Sequence, residues 1–108
     1  MGIDLYIGED QVRLTSSYWY NEFLNWVAQM GEFPQILDHS PVHGSYLLDS
    51  KGPASLYEGS VQRLKKELQD LQDMSPPEYA EDIIEYMLEG CELAIKEKLK
   101  ITMDDGAW

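Results

Sequence analysis

SPPEYAEDIIEYMLEGCELAIKEKLKITM, residues 75–103, contains one long amphipathic helix and the strand that follows it. Ser75-Pro76-Pro77-Glu78 predicts the helix start, with Ser75 as N-cap, a proline at N1 and an acidic third residue. Ala80, Ile83, Ile84, Met87, Cys91, Ala94 and Ile95 fall within about 120° of one another at 100° per residue, which is a core-facing stripe. The helix runs to about Lys98, and Lys96, Lys98 and Lys100 suit the negative end of its dipole. Leu99, Ile101 and Met103 then alternate with polar residues, the period of a strand. Gly90 in mid-helix costs about 1 kcal/mol relative to alanine, so a close neighbour is expected there: a strand, another helix or another protein.

The elements before this stretch follow from the same two periods. In MGIDLYIGEDQVRLT, Ile3, Leu5 and Ile7, then Val12 and Leu14, alternate about the turn-rich Gly8-Glu9-Asp10-Gln11, which predicts a hairpin. In SSYWYNEFLNWVAQMG, Ser16 or Ser17 can cap a first helix that Gly31 terminates. Trp19, Phe23, Trp26 and Met30, with Tyr20, Leu24 and Val27, make an arc too wide for a wet surface, so these aromatics are assigned to the core. A second helix runs from about Ser55 or Ser60 to about Asp73, with a capping box at Ser55 and Glu58. Its Tyr57, Val61, Leu64, Leu68 and Leu71 form a narrow seam for one neighbouring helix. The expected core includes Leu5, Phe23, Val27, Leu64, Leu68, Ile84, Met87 and Ile95.

Residues 32–54 carry three prolines and two glycines without sustained periodicity. A connection this long is either functional or hides an element, and Tyr46-Leu47-Leu48 reads as a short strand or a plug. The whole is expected to be a single domain, residues 1–108. Its fold class is α+β: a small antiparallel sheet, from the N-terminal hairpin and the C-terminal strand, with three helices packed on one face.

Composition narrows the function. Twenty acidic residues against eight Lys and Arg leave a net charge of −12. Nucleic-acid backbones and anionic membranes need clustered cations, so neither is an expected partner. One cysteine excludes an internal disulfide and a multi-cysteine zinc site. With an early Asp4 and no membrane-length apolar run, the chain reads as cytoplasmic.

The sharpest candidate site lies on the third helix, opposite its apolar stripe. Glu78, Glu81, Asp82, Glu85, Glu89 and Glu92 project within about 100° of one another. From Glu67 to Glu92 there are nine acidic residues and no Lys or Arg. Like charges three and four residues apart repel by a few tenths of a kcal/mol per pair, a cost that interspersed lysines usually relieve. Such a face is either a solvated surface or a docking face for a basic partner. Tyr79, Tyr86 and Leu93 stand seven residues apart on its flank, as core edge or as interface rim.

Other chemistry is weaker. His39 and His43, in the loop Asp38-His39-Ser40-Pro41-Val42-His43, are candidate metal ligands, but Pro41 between them breaks the helical H-x-x-x-H geometry. Cys91 sits in the apolar stripe as an inert thiol. Ser40 and Ser45 lack a nucleophile elbow, the exposed carboxylates have no desolvated pocket, and no glycine-rich phosphate loop occurs. The chain is therefore expected not to be an enzyme, with no catalytic residues and no cofactor.

The M-G-x-D-x-Y opening, the aromatic helix, and L-x-H-S before a Gly-containing loop resemble small bacterial and phage proteins with no assigned activity. Their loop more often reads His-Ser-Asp-Cys-Asp-Gly. Here Leu37-Asp38-His39-Ser40-Pro41-Val42-His43-Gly44 replaces the usual Asp and Cys with Pro, Val and His. The resemblance covers the first two-thirds of the chain and implies a bacterial or phage origin, with no site to carry over.

The leading expectation is a small cytoplasmic interaction module that binds a basic protein surface. An inhibitor of a nucleic-acid enzyme or an immunity-type protein fits, its carboxylates guarding the surface reserved for phosphates. Mimicry of DNA is a variant. The alternatives are a ligand- or metal-binding protein using the 32–54 loop, or a self-assembling subunit joined through the second-helix seam or the aromatic first helix.

Overall fold

A computed structural model of the chain describes residues 2–37, 46–48 and 61–106. The fold is α+β, with a four-stranded antiparallel sheet in the order β2-β1-β4-β3. Strands β1 (Gly2–Ile7) and β2 (Asp10–Ser16) form the expected hairpin. Only Gly8 and Glu9 separate them, and Gly8 has φ +62° while Glu9 does not enter the positive-φ region. Glycine at the first of two turn residues is the hairpin geometry whose twist matches the strands. Strand β4 (Ile101–Gly106) pairs with the other edge of β1, so the first strand and β4 lie side by side in the sheet's middle. Tyr46–Leu48 forms a short strand, β3, on the outer edge of β4.

The apolar face of the sheet carries Ile3, Leu5, Ile7, Ile101 and Met103, all buried. Helix α1 (Ser17–Met30) and the long α4 (Glu78–Glu97) pack against strands, while α3 (Val61–Gln72) packs on α4 and on α2, a single turn at Pro34–Leu37. The α3 seam Val61, Leu64, Leu68 and Leu71 is completely buried, as are Phe23, Val27 and Ile84. Leu5 and Met87 are nearly so, and Ile95 is half-buried at the core's edge. The seam's expected first member Tyr57, and the expected capping box at Ser55 and Glu58, lie outside the described residues.

One open alternative is settled and three local expectations need correction. The stretch after α1 does hide an element: Pro34–Leu37 makes a helical turn that buries Gln35 and Ile36. Val12 does not join the core. It lies opposite Leu5 on the edge strand and is 41% exposed, whereas Leu14, beside the register shift at Ile3/Asp4, is buried as its alternation predicts. Ser75 does not cap α4: it takes φ +53°, and Pro77 occupies the N-cap position without a side-chain bond. The reason is the proline pair. A proline disfavours helical geometry in the residue before it, so Pro76, ahead of Pro77, stays outside the helix, which begins at Glu78. The Pro77 carbonyl then accepts from the amides of Ala80 and Glu81, both at 2.9 Å. Finally, Trp19 is not a core residue but is 45% exposed.

Gly90 answers to a strand. A Cβ there would come within 3.1 Å of both Leu5 Cδ2 and Ile7 Cδ1, so the missing side chain lets α4 lie directly on β1. That approach fixes the helix rotation: the apolar stripe faces the sheet and α3, and the opposite face points away.

Candidate functional site

All six carboxylates of the α4 stripe, Glu78, Glu81, Asp82, Glu85, Glu89 and Glu92, are exposed. The residues opposite them on the helix, from Ala80 to Ala94, are buried. The stripe is thus one continuous acidic face, and Lys96 closes it in the last turn on the same side. Glu78 and Glu81 also lie in the first turn, where the exposed amides of the helix favour negative charge.

Glu67 does not belong to this surface. Its Oε2 accepts from the amide of Gln35 at 3.0 Å and its Oε1 from the amide of Ile36 at 3.1 Å. Both donors belong to fully buried residues, so this carboxylate holds the α2 turn onto α3. On α3, Asp70 accepts an exposed ion pair from Lys66 at 3.4 Å, which contributes little in water.

The flanking residues divide. Tyr86 is 52% exposed and Leu93 38%, so both border the acidic face as open apolar surface. Tyr79 is pinned instead. Its hydroxyl donates to the Glu22 carbonyl at 3.3 Å, and its ring lies 5.0 Å from that of Trp19, tilted by 35°. Burial pushes its hydroxyl pKa upward, and the nearby Glu22 and Tyr18 add to the rise. Tyr18 in turn stands edge-on to Trp19, centroids 5.1 Å apart and planes at 76°. Tyr18 is 64% exposed. Three rings from the first turns of α1 and α4 therefore form an aromatic corner beside the Glu78 end of the stripe.

Ser16 builds that corner from the α1 side. Its Oγ accepts from the Trp19 amide at 3.2 Å, starting the helix so that Tyr18 and Trp19 fall in its first turn. Ser17 Oγ donates to Asp105 Oδ1 at 3.0 Å, tying the turn to β4. The spacing along α1 assigns Trp19 to the core and leaves Tyr79 as core edge or interface rim, so it does not reveal the cluster. One clue was available: Tyr18 lies nine residues from Val27, half a turn away at 100° per residue and so on the opposite side of α1.

Cys91 is buried, and that burial pushes its thiol pKa to about 12, with Lys65 lowering it and Glu92 raising it to smaller extents. It stays a neutral thiol at physiological pH. His39, His43, Ser40 and Ser45 lie outside the described residues. Among the described residues, no group of three or more His, Cys, Asp and Glu is placed to hold a metal ion. No described helix is long and apolar enough to cross a membrane.

Comparisons of the chain with protein-family models, curated proteins and solved structures give no match.

Proposed function

We propose that this protein is a small cytoplasmic binding module that docks a basic protein surface through the acidic face of α4, as an inhibitor or immunity-type protein does. The observation that carries the reading is the continuous exposure of the six stripe carboxylates along one face. Their mutual repulsion burdens the free protein and is relieved when a cationic surface covers them. A nucleic-acid enzyme is a fitting partner, because its phosphate-binding surface presents the required cations. Charge complementarity speeds and orients association, and the exposed Tyr86 and Leu93 beside the stripe supply apolar contact.

The test is a charge reversal designed on the helix geometry. In Glu81→Lys/Asp82→Lys/Glu89→Lys, each like-charged pair three or four residues apart in the stripe becomes an opposite-charged one, so the fold keeps or gains stability. The immobilised wild-type chain is expected to capture a basic protein from its host's lysate and release it as salt rises. The triple variant loses that capture. A control reversal at the exposed Glu9, Asp10 and Glu32 retains it. Equal capture by the stripe variant and wild type at low salt refutes the proposal.

A further inference from the structure

The aromatic corner of Tyr18, Trp19 and Tyr79 asks for a ligand of its own. Burying a tryptophan is favourable, yet Trp19 keeps 45% and Tyr18 64% of their surfaces in water, side by side. The two planes meet at 76°, so the pair is a corner and not a flat stack. Tyr79 is fixed behind Trp19 by its ring contact and its bond to the Glu22 carbonyl. Aromatic faces attract cations, and Arg or Lys commonly cover exposed rings within a protein. Neither α1 nor the part of α4 before Lys96 contains a lysine or an arginine. The charged residues of the two helices around the corner are instead acidic, Glu22 on α1 and Glu78 at the start of α4, with Asp105 bonded to the adjoining Ser17.

We infer that the Tyr18–Trp19–Tyr79 corner is an arginine-binding site, which takes a guanidinium group from the basic surface that the α4 stripe docks. The inference builds on the proposed function and names the side chain that anchors it. Arginine fits better than lysine for three reasons. Its guanidinium is planar and stacks on a ring, it is more weakly hydrated than an ammonium, and its fork of donors can reach a neighbouring carboxylate while stacked. The acidic stripe alone attracts either cation as a point charge. The corner adds the preference for arginine.

Amidated tetra-arginine and tetra-lysine peptides, titrated into the full chain at low salt and followed by NMR at the Trp19 indole N–H, test this. Wild type is expected to bind tetra-arginine at least threefold more tightly than tetra-lysine, with the Trp19 resonance shifting only for the former. Trp19→Ala brings the two affinities together and leaves the tetra-lysine value unchanged. Tyr18→Ala, at the more exposed ring, does the same to a lesser degree and guards against loss of fold in the first variant. The Glu81→Lys/Asp82→Lys/Glu89→Lys protein weakens both peptides but preserves their ratio. Equal wild-type affinities, or a ratio untouched by both aromatic variants, overturn the arginine site while leaving the stripe in place. A preserved arginine preference with no weakening in the stripe variant keeps the corner and removes the stripe. Absence of binding by either peptide overturns the inference.

Discussion

Removing the Glu67 carboxylate tests whether one side chain joins the α2 turn to the rest of the fold. In Glu67→Ala the amides of Gln35 and Ile36 lose acceptors at 3.0 and 3.1 Å, both on residues that are 0% exposed. A buried donor left without a partner costs about 1–3 kcal/mol. Two such donors set a ceiling near 6 kcal/mol, but a single turn can shift toward water, and alanine returns a few tenths in helix propensity. The expected loss is about 2–4 kcal/mol, a large share of the roughly 5–15 kcal/mol available to a domain. In a domain of about 100 residues, that lowers Tm by about 10 °C or more. Glu67→Gln should fall between, since one oxygen still accepts while the amide group faces a donor. Urea unfolding followed by circular dichroism gives the stabilities. Hydrogen exchange at the Gln35 and Ile36 amides reads the two bonds directly. Glu89→Ala, at an exposed stripe position, serves as the comparison and should stay within about 0.5 kcal/mol of wild type. If Glu67→Ala behaves like Glu89→Ala, the carboxylate does not hold the turn and the argument fails.

Two further outcomes follow from contacts around α4. Gly90→Val places branched carbons where a single Cβ already approaches Leu5 and Ile7 at 3.1 Å, and should destabilise by about 1–3 kcal/mol in urea unfolding; a neutral result would mean that α4 does not rest on β1. The Cys91 thiol has its pKa raised to about 12 in the fold against an ordinary 9.0, so the unfolded chain loses its proton first. Its contribution is full below pH 9 and declines between pH 9 and 12, by at most about 1.4 kcal/mol per pH unit. Cys91→Ala should therefore lose stability less steeply than wild type from pH 9 to 10.5, and identical slopes would contradict the thiol's burial.

Much of the fold is legible locally. The hairpin, α1, α3, α4 and the closing strand follow from two periods of hydrophobicity, because a residue's facing is fixed by its own helix or strand. The α4 carboxylates are legible for the same reason: their position relative to Ile84 and Met87 depends only on the helix turn. Where a local rule was outcompeted, the competitor is identifiable. The proline pair overrode Ser75 as a cap, and the edge position of β2 leaves Val12 exposed although it lies opposite buried Leu5.

The aromatic corner shows why the site was only half readable. Trp19 has the spacing of a core residue on α1, and nothing within that helix reveals that Tyr79 of α4 stands 5.0 Å from its ring. Glu67 reads as one more acid in a run of nine, yet its partners lie more than 30 residues earlier. By itself, the sequence determined the hairpin, α1, α3, α4 and the closing strand, the net charge of −12 and the acidic stripe. Only the tertiary structure decided the strand order, the neighbour of Gly90, the burial of Glu67's partners and the meeting of Tyr18, Trp19 and Tyr79. The division is physical: periodicity records how a segment turns its own side chains, whereas pairing and close approach depend on which distant segments the shared core brings together.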